Sequence, residues 1–393
     1  MKRLRYPPAF AGAVEAVASS AGQLTPPVMG AGAFIMAEFL NIPYTQIAVA
    51  AIGPAFLYYL AVWFGVDLYA RRTGLQPTPR SEMPEPAEFL APDKSIPLFL
   101  PIAALVYFLF QGYTPSFAGA ASIIVLILSC VVVRPFAQAG RGQGLRACWI
   151  GLARDVYEGM VEAGRALVMI AALLACAAIV VKVLTATGAG VKISNLLFSV
   201  SDQGLIVALL LAAVLSIVLG MDVPTTASYV LAAAVAAPSL VRLGLPELTA
   251  HLFVFYYAIL SAITPPVCAS VYAAAALAGA NFWKVAGRAL VLAGAVYVVP
   301  FLFVFRPGIL AQGGTGQVIL DLGVASAAVF AVSVGLSGYL RGTLPLGTRA
   351  LFLATAALLF YAAPAADIVG GLALVGLVVW RYLRGERKVL SDG

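Results

Sequence analysis

"QLTPPVMG", residues 23–30, and "AITPPVCA", residues 262–269, carry the same tetrapeptide, Thr-Pro-Pro-Val, inside two strongly apolar stretches. Adjacent prolines remove two backbone donors, and the residue before a proline avoids the helical region, so each copy ends the helix leading into it. What such a break is good for depends on the surrounding solvent. Of 393 residues, 62% are hydrophobic and only 10% are charged, against roughly 25% charged in a soluble domain. Runs such as "SIIVLILSCVVV" (122–133), "ALVMIAALLACAAIVV" (166–181) and "LIVALLLAAVLSIVLG" (205–220) each supply most of the ~20 apolar residues of a bilayer-spanning helix. No alternating segments of ~10 residues, the mark of a transmembrane barrel, are visible. The composition therefore predicts an all-α polytopic membrane protein. Cys130, Cys148, Cys176 and Cys268 lie singly in or beside apolar runs and read as small core hydrophobes, with no disulfide and no metal-ligand spacing.

The two tetrapeptides belong to a longer repeat. At the offset of 239 that superposes Thr25 on Thr264, Arg3 meets Arg242, Leu4 meets Leu243, Pro7 meets Pro246, and Tyr58 meets Tyr297. Each copy opens with a basic, Pro-marked turn, runs about 15 residues, breaks at Thr-Pro-Pro, resumes with small residues and enters a further span after an aromatic-bearing turn (Tyr44, Trp283).

Orientation follows from Lys and Arg, which concentrate in cytoplasmic loops. All of the 24 basic residues except Lys182, Lys192, Arg242 and Arg306 are assigned to one side. The net charge of +7 is thus a topology signal and no evidence for nucleic acid. Five spans (about 28–45, 45–70, 96–112, 117–133 and 166–187) separate the copies, so copy one starts inside and copy two outside: the repeats are expected to be inverted. Residues 203–240 must then enter and leave on the outer face, a re-entrant hairpin with its tip at "GMDVPTT" (220–226).

Freed backbone groups facing lipid are too costly to keep, so such breaks persist where they are buried or line a cavity. Carbonyls ending the first half-helix can coordinate a cation, while amides opening the second, here from Val28 and Val267 onward, attract an anion. Hard oxygen ligands suit an alkali cation. The expected cation ligands are Ser20, Gly22 and Thr25 in copy one, Ser261, Ala262 and Thr264 in copy two, and Asp222, Thr225 and Thr226 at the hairpin tip. Glu15, Ser19, Gln23, Pro27, Val28, Ser228, Pro266 and Val267 are expected to line the substrate site. Intramembrane acids are costly enough to be functional by default, which singles out Glu15; Glu38 is placed at the outer interface. His251 reads as a satisfied core residue. Residues 141–165 suit an interfacial helix.

"FAGAVEAVASSAGQLTPPVMGAGAFIMAEFL" (10–40), "GMDVPTTASYV" (220–230) and "SAITPPVCASVYAAAALAGANFWK" (261–284) together resemble the large membrane subunit of tripartite ATP-independent periplasmic (TRAP) transporters, most closely the branch with fused small and large subunits. The likeness covers residues 1 to about 310; the tail, 311–393, more weakly resembles an extra C-terminal membrane segment of that branch. It implies an elevator-type secondary transporter of the bacterial inner membrane, usually sodium-driven, that takes small organic acids such as C4-dicarboxylates from a soluble periplasmic binding protein. It implies no cofactor beyond the coupling ion. In that family a first hairpin and further spans precede the first broken helix, whereas "MKRLRYPP" opens this sequence at residue 1; the comparison leads to the expectation of an N-terminally truncated permease, inactive alone. The expected organisation is a remnant of repeat one (1–70), a proline-rich cytoplasmic linker (71–95), scaffold spans (96–187), repeat two (188–310) and the C-terminal segment (311–393). A carboxylate transporter without a binding protein and an ion channel are the rival readings. An intramembrane enzyme is disfavoured, because no paired-aspartate, His-Glu zinc or Gly-x-Ser-x-Gly motif occurs.

Overall fold

The computed structural model describes residues 1, 4–75, 92–139, 145–188, 192, 204–221 and 223–391. Its α-helices, in chain order, are α1 (Pro8–Ser20), α2 (Ala31–Leu40), α3 (Tyr44–Thr73), α4 (Pro92–Phe110), α5 (Pro115–Ala139), α6 (Leu145–Ala186), α7 (Leu205–Gly220), α8 (Thr225–Arg242), α9 (Glu247–Leu260), α10 (Ala269–Ala278), α11 (Phe282–Ala293), α12 (Val299–Phe305), α13 (Thr315–Ser337), α14 (Leu346–Phe360) and α15 (Pro364–Ser391). The only β-type pairing among the described residues is an isolated bridge between Tyr339 and Thr343. The predicted all-helical class holds. Among the described residues four helices, α3, α5, α13 and α15, contain segments long and apolar enough to cross a membrane; α2, α7, α9 and α10 are apolar but shorter.

The chain divides into two compact units, one of Met1–Leu40, Ile47–Gln76 and Val180–Gly393, the other of Asn41–Gln46 and Pro77–Ile179. In the smaller unit α4 and α5 form a hairpin whose turn is packed by Phe108, Tyr113 and Phe117. Most of its other large side chains, Phe99, Phe110, Ile123 and Leu128 among them, are exposed, as expected where hydrocarbon replaces water.

The larger unit is built around α9. From Thr249 to Leu260 every residue is buried apart from half-buried His251. A helix apolar on all sides belongs at the centre, and α7, α8, α2 and α12 pack around it. Close approach depends on small residues, as is usual between membrane helices. Ala232, Ala233, Ala236 and Ala237 form the buried face of α8. A Cβ on Gly53 of α3 would sit 2.0 Å from the carbonyl oxygen of Ile309, and one on Gly32 of α2 would sit 2.8 Å from the Phe255 ring.

Three sequence expectations are corrected. The interfacial helix at 141–165 and the span at 166–187 form one helix, α6, of 42 residues; no proline interrupts it, and Arg154–Glu158 and Arg165–Glu162 pairs stabilise its charged part. The first repeat's following span runs to Thr73 as one helix, whereas its counterpart in the second divides into α11 and α12 at Gly294–Val298. Arg306, counted as an outer-loop charge, is buried to 1% exposure.

That arginine ties the C-terminal helices to the rest of the unit. Its Nε donates to the Leu359 carbonyl at 3.1 Å and its Nη1 to Asp321 and Asp367 at 3.3 Å each, while Nη2 bonds Asp367 and the Tyr361 carbonyl. Asp321 also accepts from the Gly308 amide at 3.0 Å and from Gln317 at 3.0 Å. A buried charge is tolerable only when paired and hydrogen-bonded this fully. Arg306→Met leaves two carboxylates without their cation and is expected to destabilise the protein by about 3–5 kcal/mol. A thermal melt in detergent checks it: a midpoint equal to wild type would show the cluster to be energetically idle.

Candidate functional site

Both breaks have the same construction. Adding 239 to the bounds of α1 and α2 gives 247–259 and 270–279, within one residue of α9 and α10. A single 3₁₀ turn follows each first half-helix, Ala21–Gln23 and Ser261–Ile263, and both Pro-Pro peptides, Pro26–Pro27 and Pro265–Pro266, are cis.

The threonines close the helix ends. Thr25 Oγ1 donates to the Ala21 carbonyl at 2.7 Å and Thr264 Oγ1 to the Leu260 carbonyl at 2.6 Å, the same bond at equivalent positions. Each oxygen also meets a tyrosine hydroxyl on the following span, Tyr59 at 3.1 Å and Tyr297 at 2.5 Å. A hydroxyl has one proton and two lone pairs. With the Thr264 proton given to the Leu260 carbonyl and one lone pair accepting from Tyr297, one lone pair of Thr264 is left for a ligand, whereas Thr25 directs its hydroxyl between the Ala21 carbonyl and the Tyr59 oxygen. Pro265 and Pro266 withhold the amides that would otherwise bond the carbonyls of Ser261 and Ala262, and Pro26 and Pro27 do the same for Gly22 and Gln23. Turn amides recover part of the loss: Thr264 bonds the Ser261 carbonyl at 3.2 Å, Thr25 that of Gly22 at 3.3 Å, and Gly30 that of Gln23 at 2.9 Å.

The hairpin α7–α8 brings its tip to the second break. Ser261 Oγ donates to the Ala258 carbonyl at 2.7 Å and lies 3.0 Å from the Gly220 carbonyl. A Cβ on Gly220 would lie 2.4 Å from Ser228 Oγ and 2.5 Å from Ser261 Oγ, so only glycine permits this approach. Ser228 is fully buried and its hydroxyl has no partner, as is true of Gln23 Oε1. Unsatisfied buried polar atoms call for an explanation, and these two lie among the residues singled out from sequence. Thr225 and Thr226 open α8, half-buried and with no side-chain cap on its first amides. Asp222 lies outside the described residues.

In the first copy, Ser20 is buried and bonds the Ala16 carbonyl at 2.8 Å. Glu15 and Ser19 lie on the exposed stripe of α1, which Gly22 in the following turn continues, and Ser19 Oγ bonds the Glu15 carbonyl. Val28 and Pro266 are exposed, Pro27 and Val267 half-buried. One expectation changes: the second half-helices begin at Ala31 and Ala269 rather than at Val28 and Val267, because the Pro-Pro turn takes up the intervening residues and Cys268 adopts a left-handed φ of 38°. The positive helix ends therefore lie two to three residues further on. The two breaks are neighbours: α1 packs on α10, with Gly12 against Ala274 and Ala278, and reaches the 3₁₀ turn at 261–263.

Sequence reasoning missed the tyrosines. Tyr58 donates to the Val17 carbonyl at 2.8 Å and Tyr257 to the Tyr297 carbonyl at 2.6 Å, and with Tyr59 and Tyr297 they hold the breaks against the following spans. The match of Tyr58 with Tyr297 in the repeat was the available signal. His251 is the satisfied core residue expected, 2.7 Å from the Tyr229 hydroxyl. Gly220→Ala is expected to cost about 1–3 kcal/mol by overpacking, whereas Gly287→Ala, with open space around it, should be neutral or stabilising. Comparing their melting midpoints in detergent checks this; an unchanged midpoint in Gly220→Ala would mean that the tip is not wedged against Ser261.

No curated protein matches the chain. A family model described as "Tripartite ATP-independent periplasmic transporter, DctM component" matches residues 1–315, which include both broken helices and the hairpin. The chain thus belongs to the DctM family, the membrane component of TRAP transporters, which are secondary transporters and not enzymes.

Proposed function

We propose that this chain is the permease of a sodium-coupled system of the bacterial inner membrane that imports small organic acids handed over by a periplasmic binding protein. The observation that carries this reading is the apposition of the hairpin tip to the second Thr-Pro-Pro break, with Gly220, Ser228 and Ser261 in contact. A site of this kind gathers carbonyl and hydroxyl oxygens in a setting from which lipid is excluded, and such oxygens suit sodium. Ala262, Thr264, Thr225, Thr226 and Asp222 complete the proposed cation set around Ser261, and Ser20, Gly22 and Thr25 form the equivalent set at the first break. The carboxylate substrate is assigned to the uncapped starts of α8 and α10, whose dipoles favour an anion, and to the stripe of Glu15 and Ser19, with Gln23, Pro27, Val28, Ser228, Pro266 and Val267 around it.

The two breaks are further read as inverted repeats of an elevator-type fold. Support comes from α1, whose first half meets the second half of α10, the packing that antiparallel half-helices would make. In a background without native cysteines, cysteines placed at Gly204 and Arg242 should both react with an impermeant thiol reagent applied from the periplasm. Reaction at only one of them would make the hairpin a plain span and remove the inversion.

Sodium dependence is read directly from ligand-induced stabilisation. Sodium, and not potassium, is expected to raise the melting midpoint of the purified chain. Thr264→Val and Thr225→Val should each increase the sodium needed by several-fold or more, since a lost buried ligand costs ~1–3 kcal/mol. Equal stabilisation by both cations, or curves unchanged in both variants, would leave the breaks as structural kinks.

A further inference from the structure

A cleft lies in the larger unit, beside the end of α1 away from its break. It is formed where the first turn of α1, the C-terminal part of α3, the middle of α11 and the last turns of α13 meet, and it encloses about 550 Å³, its open mouth included. Two arginines line it. Arg72 Nη1 donates to the Ser337 carbonyl at 2.8 Å, which leaves its remaining N–H groups for another acceptor. The Arg288 guanidinium lies 5.8 Å from the centre of the Tyr69 ring and has no acidic partner among the described residues. Asp67, the nearest acid along α3, is engaged with Arg71 at 2.8 Å.

A second observation points to a ligand. Ser333, on the α13 wall, is only 6% exposed, and its hydroxyl has no hydrogen-bond partner. The buried serines Ser20, Ser122, Ser129, Ser216 and Ser239 all bond a carbonyl of their own helix. Ser333 does not, although a carbonyl four residues back is within the ordinary reach of a helical serine. It is a buried donor in a cleft with two cations, which is the chemistry that recognises a phosphate oxyanion.

The position of the cleft indicates where that phosphate comes from. Arg72, Arg288, Arg341, Arg349 and Arg381 come from separate parts of the chain that the charge distribution assigns to the cytoplasmic face, and the structure gathers them around the end of α13. Arg349 bonds the Gly335 and Leu336 carbonyls, and Arg381 those of Leu340 and Thr343. A basic pocket between membrane helices at the cytoplasmic interface is the setting in which anionic lipid head groups bind. We propose that this cleft binds the phosphate of an anionic phospholipid head group, with Arg288 and Arg72 as its cationic partners and the Ser333 hydroxyl as a donor.

Native mass spectrometry of the purified chain, supplied with mixed phosphatidylglycerol and phosphatidylcholine, tests this. Selective retention of phosphatidylglycerol is expected. Arg288→Gln should weaken it by about fivefold and Ser333→Ala should weaken it too, while Lys284→Gln, a charge lost from the same helix outside the cleft, should leave it unchanged. Arg288 is the informative variant because it supports no backbone group, unlike Arg72. A parallel melt with inorganic phosphate in lipid-free detergent separates the two sources. Stabilisation by phosphate that Arg288→Gln abolishes, without selective lipid retention, would keep the phosphate chemistry and reject the lipid. Retention that is equal for both lipids, or that falls as much in Lys284→Gln as in Arg288→Gln, together with no response to phosphate, would overturn the proposal.

Discussion

The constraint on which this structure depends is the cost of an unpaired backbone group away from water. Four prolines in two pairs interrupt helices inside an apolar unit, and each removes an amide that a carbonyl one turn earlier needs. The chain answers in the same way twice. A 3₁₀ turn tightens the helix end, a threonine hydroxyl gives the carbonyl of Ala21 or Leu260 a donor, and a tyrosine hydroxyl from the next span meets the threonine. What local bonding does not satisfy must be enclosed by other helices, and the burial of α9 on nearly every side follows from that need.

Enclosure requires backbones to approach closely, which accounts for where glycine is indispensable. Gly220 lets the hairpin tip touch Ser261 and Ser228, Gly53 lets α3 pass the Ile309 carbonyl, and Gly12 lets α1 lie on α10. These contacts join the first copy, the hairpin and the second copy into one packed unit. Side-chain oxygens left without a partner inside the unit, Ser228 Oγ and Gln23 Oε1, are costly there.

The C-terminal helices are part of this economy rather than an appendage. The family match ends at residue 315, yet Arg306, which precedes that point, finds its carboxylates at Asp321 and Asp367 beyond it. Charge burial on this scale is stable only as a complete network, so α13, α14 and α15 are tied to the second copy by the same residues that keep Arg306 satisfied. The last turns of α13 also complete the basic cleft with Arg72 and Arg288.

The sequence by itself determined the membrane class, the place of both breaks to within a residue or two, the short apolar arms of the hairpin and the role of His251 as a core residue. These features come from composition and from backbone chemistry that acts over a few neighbouring positions, as proline does on the turn before it. Tertiary structure alone decided the rest. Arg306 looks like any loop arginine until its partners, 15 and 61 residues away, are folded onto it. Thr25 and Thr264 look like free ligands until the hydroxyls of Tyr59 and Tyr297 engage them. Ser228 and Ser333 differ from the other buried serines only in what surrounds them. A side chain's remaining capacity to bond is set by its neighbours in space, and packing chooses those neighbours from distant parts of the chain.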